Sequence, residues 1–131
     1  MMDYQRNNHS KFLIIYHTIF VVKYRRPLLI QYGRWMKSAM LKIAEKSNFR
    51  IKEMETDRDH IHLMIESVPK LSPLQIVRRL KQESTYRIWR EYPQLQKSFW
   101  KERTFWSDGY FCCSIGNASI NTVRRYIESQ G

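Results

Sequence analysis

Few of the residues that place a chain among stapled, fibrous or membrane proteins are present here. Cysteine occurs only at the adjacent positions Cys112 and Cys113. Neighbouring side chains on a strand point to opposite faces, so the pair excludes a routine disulfide and offers no C-x-x-C metal site; two buried free thiols are expected. Glycine and proline number four each, which excludes a collagen-like or low-complexity chain. The longest apolar run, Phe12 to Val22, is broken by His17 and falls well short of the roughly 20 residues of a membrane span. Met1 to Ser10 is polar and lacks the apolar stretch of a secretory signal, so a cytoplasmic protein is expected. Acidic residues are also scarce, 12 Asp and Glu against 23 Lys and Arg.

What is present belongs to a packed domain. The chain has 131 residues, 43% of them hydrophobic and 14% aromatic, with four tryptophans and eight tyrosines. That length suits one hydrophobic core, and neither a repeat nor a linker divides it, so residues 1–131 are expected to form a single domain. A net charge of +11 at a pI near 9.9 points to a polyanionic partner, nucleic acid being the commonest. A generally basic, solvated surface is the plainer alternative. Binding to a membrane surface requires a basic helix with a strong apolar face, and none stands out.

Phe12 to Tyr24 is rich in β-branched and aromatic residues and reads as a first strand. A helix follows over Gly33 to Ser47, with Trp35, Met36, Met40 and Ile43 at near-helical spacing. Phe49–Asp57 and His60–Val68 read as a hairpin turned at Asp57 to Asp59. Ser72, Pro73 and Gln75 form an N-cap, a proline at the first helical position and a capping box, opening a helix to about Arg90. Tyr92 to Trp106 gives no regular pattern. Tyr110–Ile115 reads as the last strand, Gly116 and Asn117 as a break, and Ser119–Gln130 as a terminal helix. Strand, helix, hairpin, helix, strand, helix is the order of an α+β sandwich, an antiparallel sheet of ferredoxin-like or RNA-recognition-like style with helices packed on it.

In the second strand of the hairpin Ile61, Leu63 and Ile65 share one face, while His60, His62, Met64 and Glu66 share the other. Strand geometry sets the backbones of the two histidines about 6.6 Å apart, close enough for their imidazoles to converge on one ion. An isolated H-x-H is equally a pair of strand histidines in ordinary hydrogen bonds. Glu66 on the same face is read as a partner of the histidines rather than a ligand, and Glu53 and Glu55 as surface charges. On the terminal helix Tyr126 and Gln130 stand four residues apart on one face, beside Ile120, Val123 and Ile127. Either residue alone is more often packing or surface. No Ser-His-Asp set, phosphate-cradling glycine loop or cofactor fingerprint competes.

His60-Ile61-His62 resembles the histidine-hydrophobe-histidine motif of the HUH endonucleases, and Tyr126-x-x-x-Gln130 resembles the motif of the single-tyrosine transposases of bacterial and archaeal insertion sequences, the IS200-like superfamily. The likeness extends over Phe20 to Pro27, Asp57-x-Asp59-His60-Ile61-His62, Leu71-Ser72-Pro73, Val77-x-x-Leu80-Lys81 and Phe105 to Phe111, followed by Gly116. Cys112 and Cys113 depart from it, standing where the family has valine, serine or threonine, and Asp108 replaces a variable small residue. The resemblance implies that Tyr126 is the nucleophile and that His60, His62 and Gln130 hold a divalent metal. Two imidazoles and an amide oxygen leave open positions suited to Mg²⁺ or Mn²⁺. It further implies single-stranded DNA with hairpin ends as substrate, a 5′-phosphotyrosine intermediate with a free 3′-hydroxyl, and a homodimer in which the tyrosine helix completes the partner's site. Lys23, Arg25, Arg26, Arg78, Arg79, Arg87 and Arg90 are available to phosphates. The alternatives are a domesticated relative that processes chromosomal hairpin repeats, a nucleic-acid-binding module without catalysis, and a small zinc hydrolase that leaves Tyr126 and Gln130 without a role.

Overall fold

The computed structural model describes residues 5–6, 11–100, 102–114 and 120–130. A short ladder of β1 (Gln5–Arg6) and β2 (Lys11–Phe12) precedes the main sheet. That sheet is built from β3 (Ile14–Val21), β4 (Arg50–Thr56), β5 (His60–Ser67) and β6 (Phe111–Ser114), in the order β4-β5-β3-β6 with every pair antiparallel. The helices are α1 (Leu29–Glu45), α2 (Pro73–Glu91), α3 (Pro93–Ser98) and α4 (Ile120–Ser129). The expected α+β architecture is therefore the one observed.

Alternation along β3 and β5 sorts their side chains onto two faces. Phe20, Ile61, Leu63 and Ile65 turn to one side and enter the main core with Met36, Met40 and Ile43 of α1 and Ile76, Val77, Leu80 and Ile88 of α2. The register sets Phe20 opposite Ile61, Ile19 opposite His62 and Val21 opposite His60. Residues opposite one another share a face, so both histidines lie on the side away from that core.

The largest departures from the sequence reading are at the end of the first strand, at the start of the first long helix and in the stretch that gave no pattern. The first strand ends at Val21, and Lys23–Arg25 form a 3₁₀ turn with positive φ at Tyr24 (60°) and Arg25 (52°). Helix α1 starts at Leu29, four residues before Gly33. It has no side-chain cap; the Leu29 N–H instead donates to the Arg58 carbonyl of the β4–β5 turn at 2.9 Å. Gly33 is interior to α1 at its approach to β4, where a Cβ would lie 2.9 Å from Thr56 Oγ1. The capping box of α2 forms as expected, with Gln75 N–H donating to Ser72 Oγ (3.1 Å) and Ser72 N–H to Gln75 Oε1 (2.8 Å). Helix α3, opened by Pro93, occupies part of the stretch that gave no pattern. The rest of that stretch is anchored by Trp89, Phe99, Phe105 and Trp106, whose rings meet at 4.8 to 6.0 Å. Gly116, Asn117 and Ser119, read as the break and the start of the last helix, lie outside the described residues.

Candidate active site

His60 and His62 are half-buried on β5. The carboxylate of Asp59, only 7% exposed, lies 2.9 Å from His60 Nδ1 and accepts from Arg25 Nε at 3.2 Å. An ionised carboxylate only accepts, so Nδ1 carries the proton and the lone pair of His60 resides on Nε2. Burial works against the charge on Asp59, but the hydrogen bonds from His60 and Arg25 outweigh it and hold the carboxyl below its ordinary pKa. His62 Nε2 lies 2.9 Å from Nδ1 of His17 on β3, with the rings tilted and 5.0 Å apart. Burial, then the neighbouring His17, lower the pKa of His62, which is neutral at pH 7.

Tyr126 and Gln130 come from α4 and its end. A Cβ placed on Gly109 would lie 3.6 Å from Tyr126 Oη and 3.8 Å from Gln130 Oε1. The phenol and the amide oxygen therefore converge above a residue with no side chain. The Tyr126 ring rests 5.9 Å from that of Phe111. Its hydroxyl is buried without a hydrogen-bond partner, and burial pushes its pKa up to about 12. At neutral pH the phenol is therefore protonated, the form in which a phenol is a weak nucleophile.

The structure thus forms two groups, the histidines with Asp59 and the tyrosine with Gln130, and no hydrogen bond or ring contact joins them among the described residues. Both belong to one face of the sheet. Phe111, Ile19 and His62 stand opposite one another on three successive strands, so about 10 Å of sheet separates His62 from the ring neighbour of Tyr126.

Glu66 shares the histidine face but not the histidines' neighbourhood. It is buried four residues further along β5, about 13 Å from His62, and pairs with Arg50 (3.6 Å) and Lys52 (3.9 Å). Its reading as a partner of the histidines is corrected; Asp59 and His17 hold that place, and sequence spacing gave no signal for either. Glu53 and Glu55 are exposed, as expected. Cys112 and Cys113 are free thiols but half-buried rather than buried, and burial raises the pKa of both. Several cations named for phosphates have partners within the chain: Lys23 with Asp108 (3.2 Å), Arg25 with Asp59 and Arg79 with Glu83 (2.7 Å). Arg26 lies over the Phe99 ring, 4.4 Å from its centroid.

The family model described as "Transposase IS200 like" matches residues 10–130. The chain belongs to the IS200-like transposase family. Among curated members it is 32% identical to the transposase for insertion sequence element IS200 of Salmonella typhimurium, over 99% of this chain and 85% of that protein. A crystal structure described as a transposase of Deinococcus radiodurans superposes with a TM-score of 0.87 over 96% of this chain and 97% of that one, at 23% identity. A REP-associated tyrosine transposase bound to a REP hairpin shares the fold, with a TM-score of 0.55 and 16% identity over 97% of this chain and 69% of that one. Among the described residues of this IS200-like transposase no group of three or more His, Cys, Asp and Glu side chains is arranged to hold a metal ion, and no helix is long and apolar enough to cross a membrane.

Proposed function

We propose that this transposase, working in the cytoplasm as a single domain in each copy, cuts and rejoins single-stranded DNA through Tyr126, with His60, His62 and Gln130 holding Mg²⁺ or Mn²⁺. The observation that carries the reading is the convergence of Tyr126 Oη and Gln130 Oε1 over Gly109, on the sheet face that also bears the histidine pair. The donor set fits a divalent ion: Asp59 leaves His60 Nε2 free, His62 is neutral, and Gln130 supplies an amide oxygen. When bound, the ion polarises the scissile phosphate and stabilises developing charge.

The chain's own residues do the rest. Asp59, held by Arg25, aims His60. Burial keeps water from the phenol, whose oxygen has no competing hydrogen bond to break before attack. Tyr126 Oη attacks phosphorus and gives up its proton, the P–O bond to the 3′-oxygen breaks, and the departing 3′-oxygen takes up a proton through solvent, leaving a 5′-phosphotyrosine and a 3′-hydroxyl with no net change in protons. Because the phosphodiester is conserved, another 3′-hydroxyl reverses the step without ATP. The hairpin carried by the REP-associated relative and the charge of +11 support hairpin-ended DNA as the partner. The test is a denaturing gel with labelled single-stranded DNA from the ends of the source element. Wild type gives a covalent adduct that chelation abolishes; Tyr126→Phe gives none while still binding the hairpin. An adduct on Tyr126→Phe would sink the reading.

We further propose a homodimer that exchanges α4. An exchanged helix makes on the partner the same contacts it makes here on Gly109 and Phe111. A dimer mixed from His60→Ala/His62→Ala chains and Tyr126→Phe chains then holds one intact site and cuts, and the DNA attaches to the chain with mutated histidines. An inactive mixed dimer of proven composition would place the whole site within one chain.

A further inference from the structure

Among the described residues three that are not glycine have positive φ: Tyr24 (60°), Arg25 (52°) and Trp100 (61°). All three fall in two segments that touch. The turn at Lys23–Arg25 reaches the chain beyond α3 through Tyr24 Oη, which donates to Glu102 Oε1 (2.5 Å), and through Lys23 Nζ, 3.6 Å from Glu102 Oε2. Arg26 Nη1 adds a bond to Ser98 Oγ (3.1 Å).

The left-handed region crowds a side chain against its own backbone, and a bulky residue there is an outlier. Trp100 follows Phe99, the last residue of the α3 cap, at the position where glycine or asparagine is ordinary. Burial accounts for neither aromatic, since Trp100 is 84% exposed and Tyr24 62%. Large rings held in water on a disfavoured backbone point to something they meet outside the chain.

The residues on either side of Tyr24 bind the two halves of the candidate site. Lys23 Nζ pairs with Asp108 (3.2 Å), next to the Gly109 over which Tyr126 and Gln130 converge. Arg25 Nε donates to Asp59, which holds His60. The turn therefore borders the place where a phosphate would lie between those halves. Lys97 and Arg103, both exposed, bring positive charge to either side of Trp100. Aromatic faces beside cations suit unpaired nucleic acid, because every base has a face to stack and every nucleotide a phosphate. The bond to Glu102 already fixes the Tyr24 ring, so little freedom is lost when a base stacks on it.

We propose that Tyr24 and Trp100 are stacking platforms for unpaired bases of the DNA strand that runs on from the scissile phosphate. The inference rests on the reading above for the presence of DNA at the site, and not on which residue attacks it. The test uses full-length protein carrying Tyr126→Phe and two fluorescein-labelled probes, an oligothymidylate and an abasic sugar-phosphate strand of the same length. Fluorescence anisotropy should show the oligothymidylate bound about tenfold more tightly. Trp100→Gly and Tyr24→Asn, made in that protein, place residues that tolerate the left-handed region. Each should lose most of the preference and leave abasic binding unchanged; Trp100→Gly should not lower the unfolding temperature, and Trp100→Phe should restore the preference. Equal affinity of the parent for the two probes, or variants that keep its preference, would overturn the proposal. An equal loss on both probes would do so too, by showing an effect of charge or folding. So would a smaller oligomer by sedimentation, which would assign the rings to contact between copies. An intact preference in a protein whose wild type forms no adduct would count against Tyr126 and leave the platforms standing.

Discussion

The two faces of the main sheet are made from alternate residues of the same strands, and only one of them adds polar chemistry to its buried aliphatic side chains Ile19 and Val21. One carries Phe20, Ile61, Leu63 and Ile65 into a closed core under α1 and α2. The other carries His17, His60 and His62, with Asp59 beside them at the turn and Tyr126 reaching in from α4. Stability and chemistry are thus separated by a single residue step. Apolar contacts on one side hold the strands in register, so the other side can keep polar groups half-buried that would weaken a core.

Neighbours on β5 test this separation most directly. His62→Ala should reduce adduct formation at least about a hundredfold while thermal unfolding changes little, because the side chain it loses is outside the core. Leu63→Ala, one residue on and fully buried, should cost about 2–5 kcal/mol in chemical denaturation, with adduct formation per folded molecule retained. If the two variants lose stability equally, the faces are not independent. Asp59→Asn sharpens the comparison within the histidine face. It keeps the volume but removes the charge that holds His60 and Arg25, and calorimetry with Mn²⁺ should show about 10–100-fold weaker binding.

The smallest effect is expected from Tyr126→Phe on stability. The hydroxyl is buried and unpartnered, so its removal should leave the protein as stable at pH 7 or stabilise it by up to about 1 kcal/mol. The pH dependence has a definite sign. The phenol pKa rises on folding from 10.0 to about 12, so its contribution is intact below pH 10 and is lost as pH climbs toward 12. Wild type should fall relative to the variant across that interval; a constant difference would show the phenol to be hydrated.

What the sequence disclosed, and what it hid, follows the range of the interactions involved. The capping box of α2 and the alternation about His60 and His62 are set by residues within a few positions of one another, and both were legible. The start of α1 was not, because Leu29 is capped by a carbonyl from the β4–β5 turn rather than by its own side chains. The stretch from Phe105 to Gly109 showed no period because its shape is set by distant partners, Lys81, Ser84 and Thr85 of α2 and the backbone of Val21 to Lys23. His17 meets His62 across 45 positions, a contact no spacing announces. Glu66 was misplaced for the converse reason: alternation assigns a face but not a distance along it.

The bond from Leu29 to Arg58 gives the molecule an internal gauge. Arg58 and Asp59 sit in one turn; the carbonyl of the first caps α1, and that of the second accepts from Val22 at 2.8 Å. A shift of the Asp59 backbone, on metal loading or DNA binding, would strain both bonds together. If the proposed site is right, the exchange rate and chemical shift of the Leu29 amide will respond to Mn²⁺ or DNA added at the histidines, although Leu29 belongs to a helix on the opposite face of the sheet.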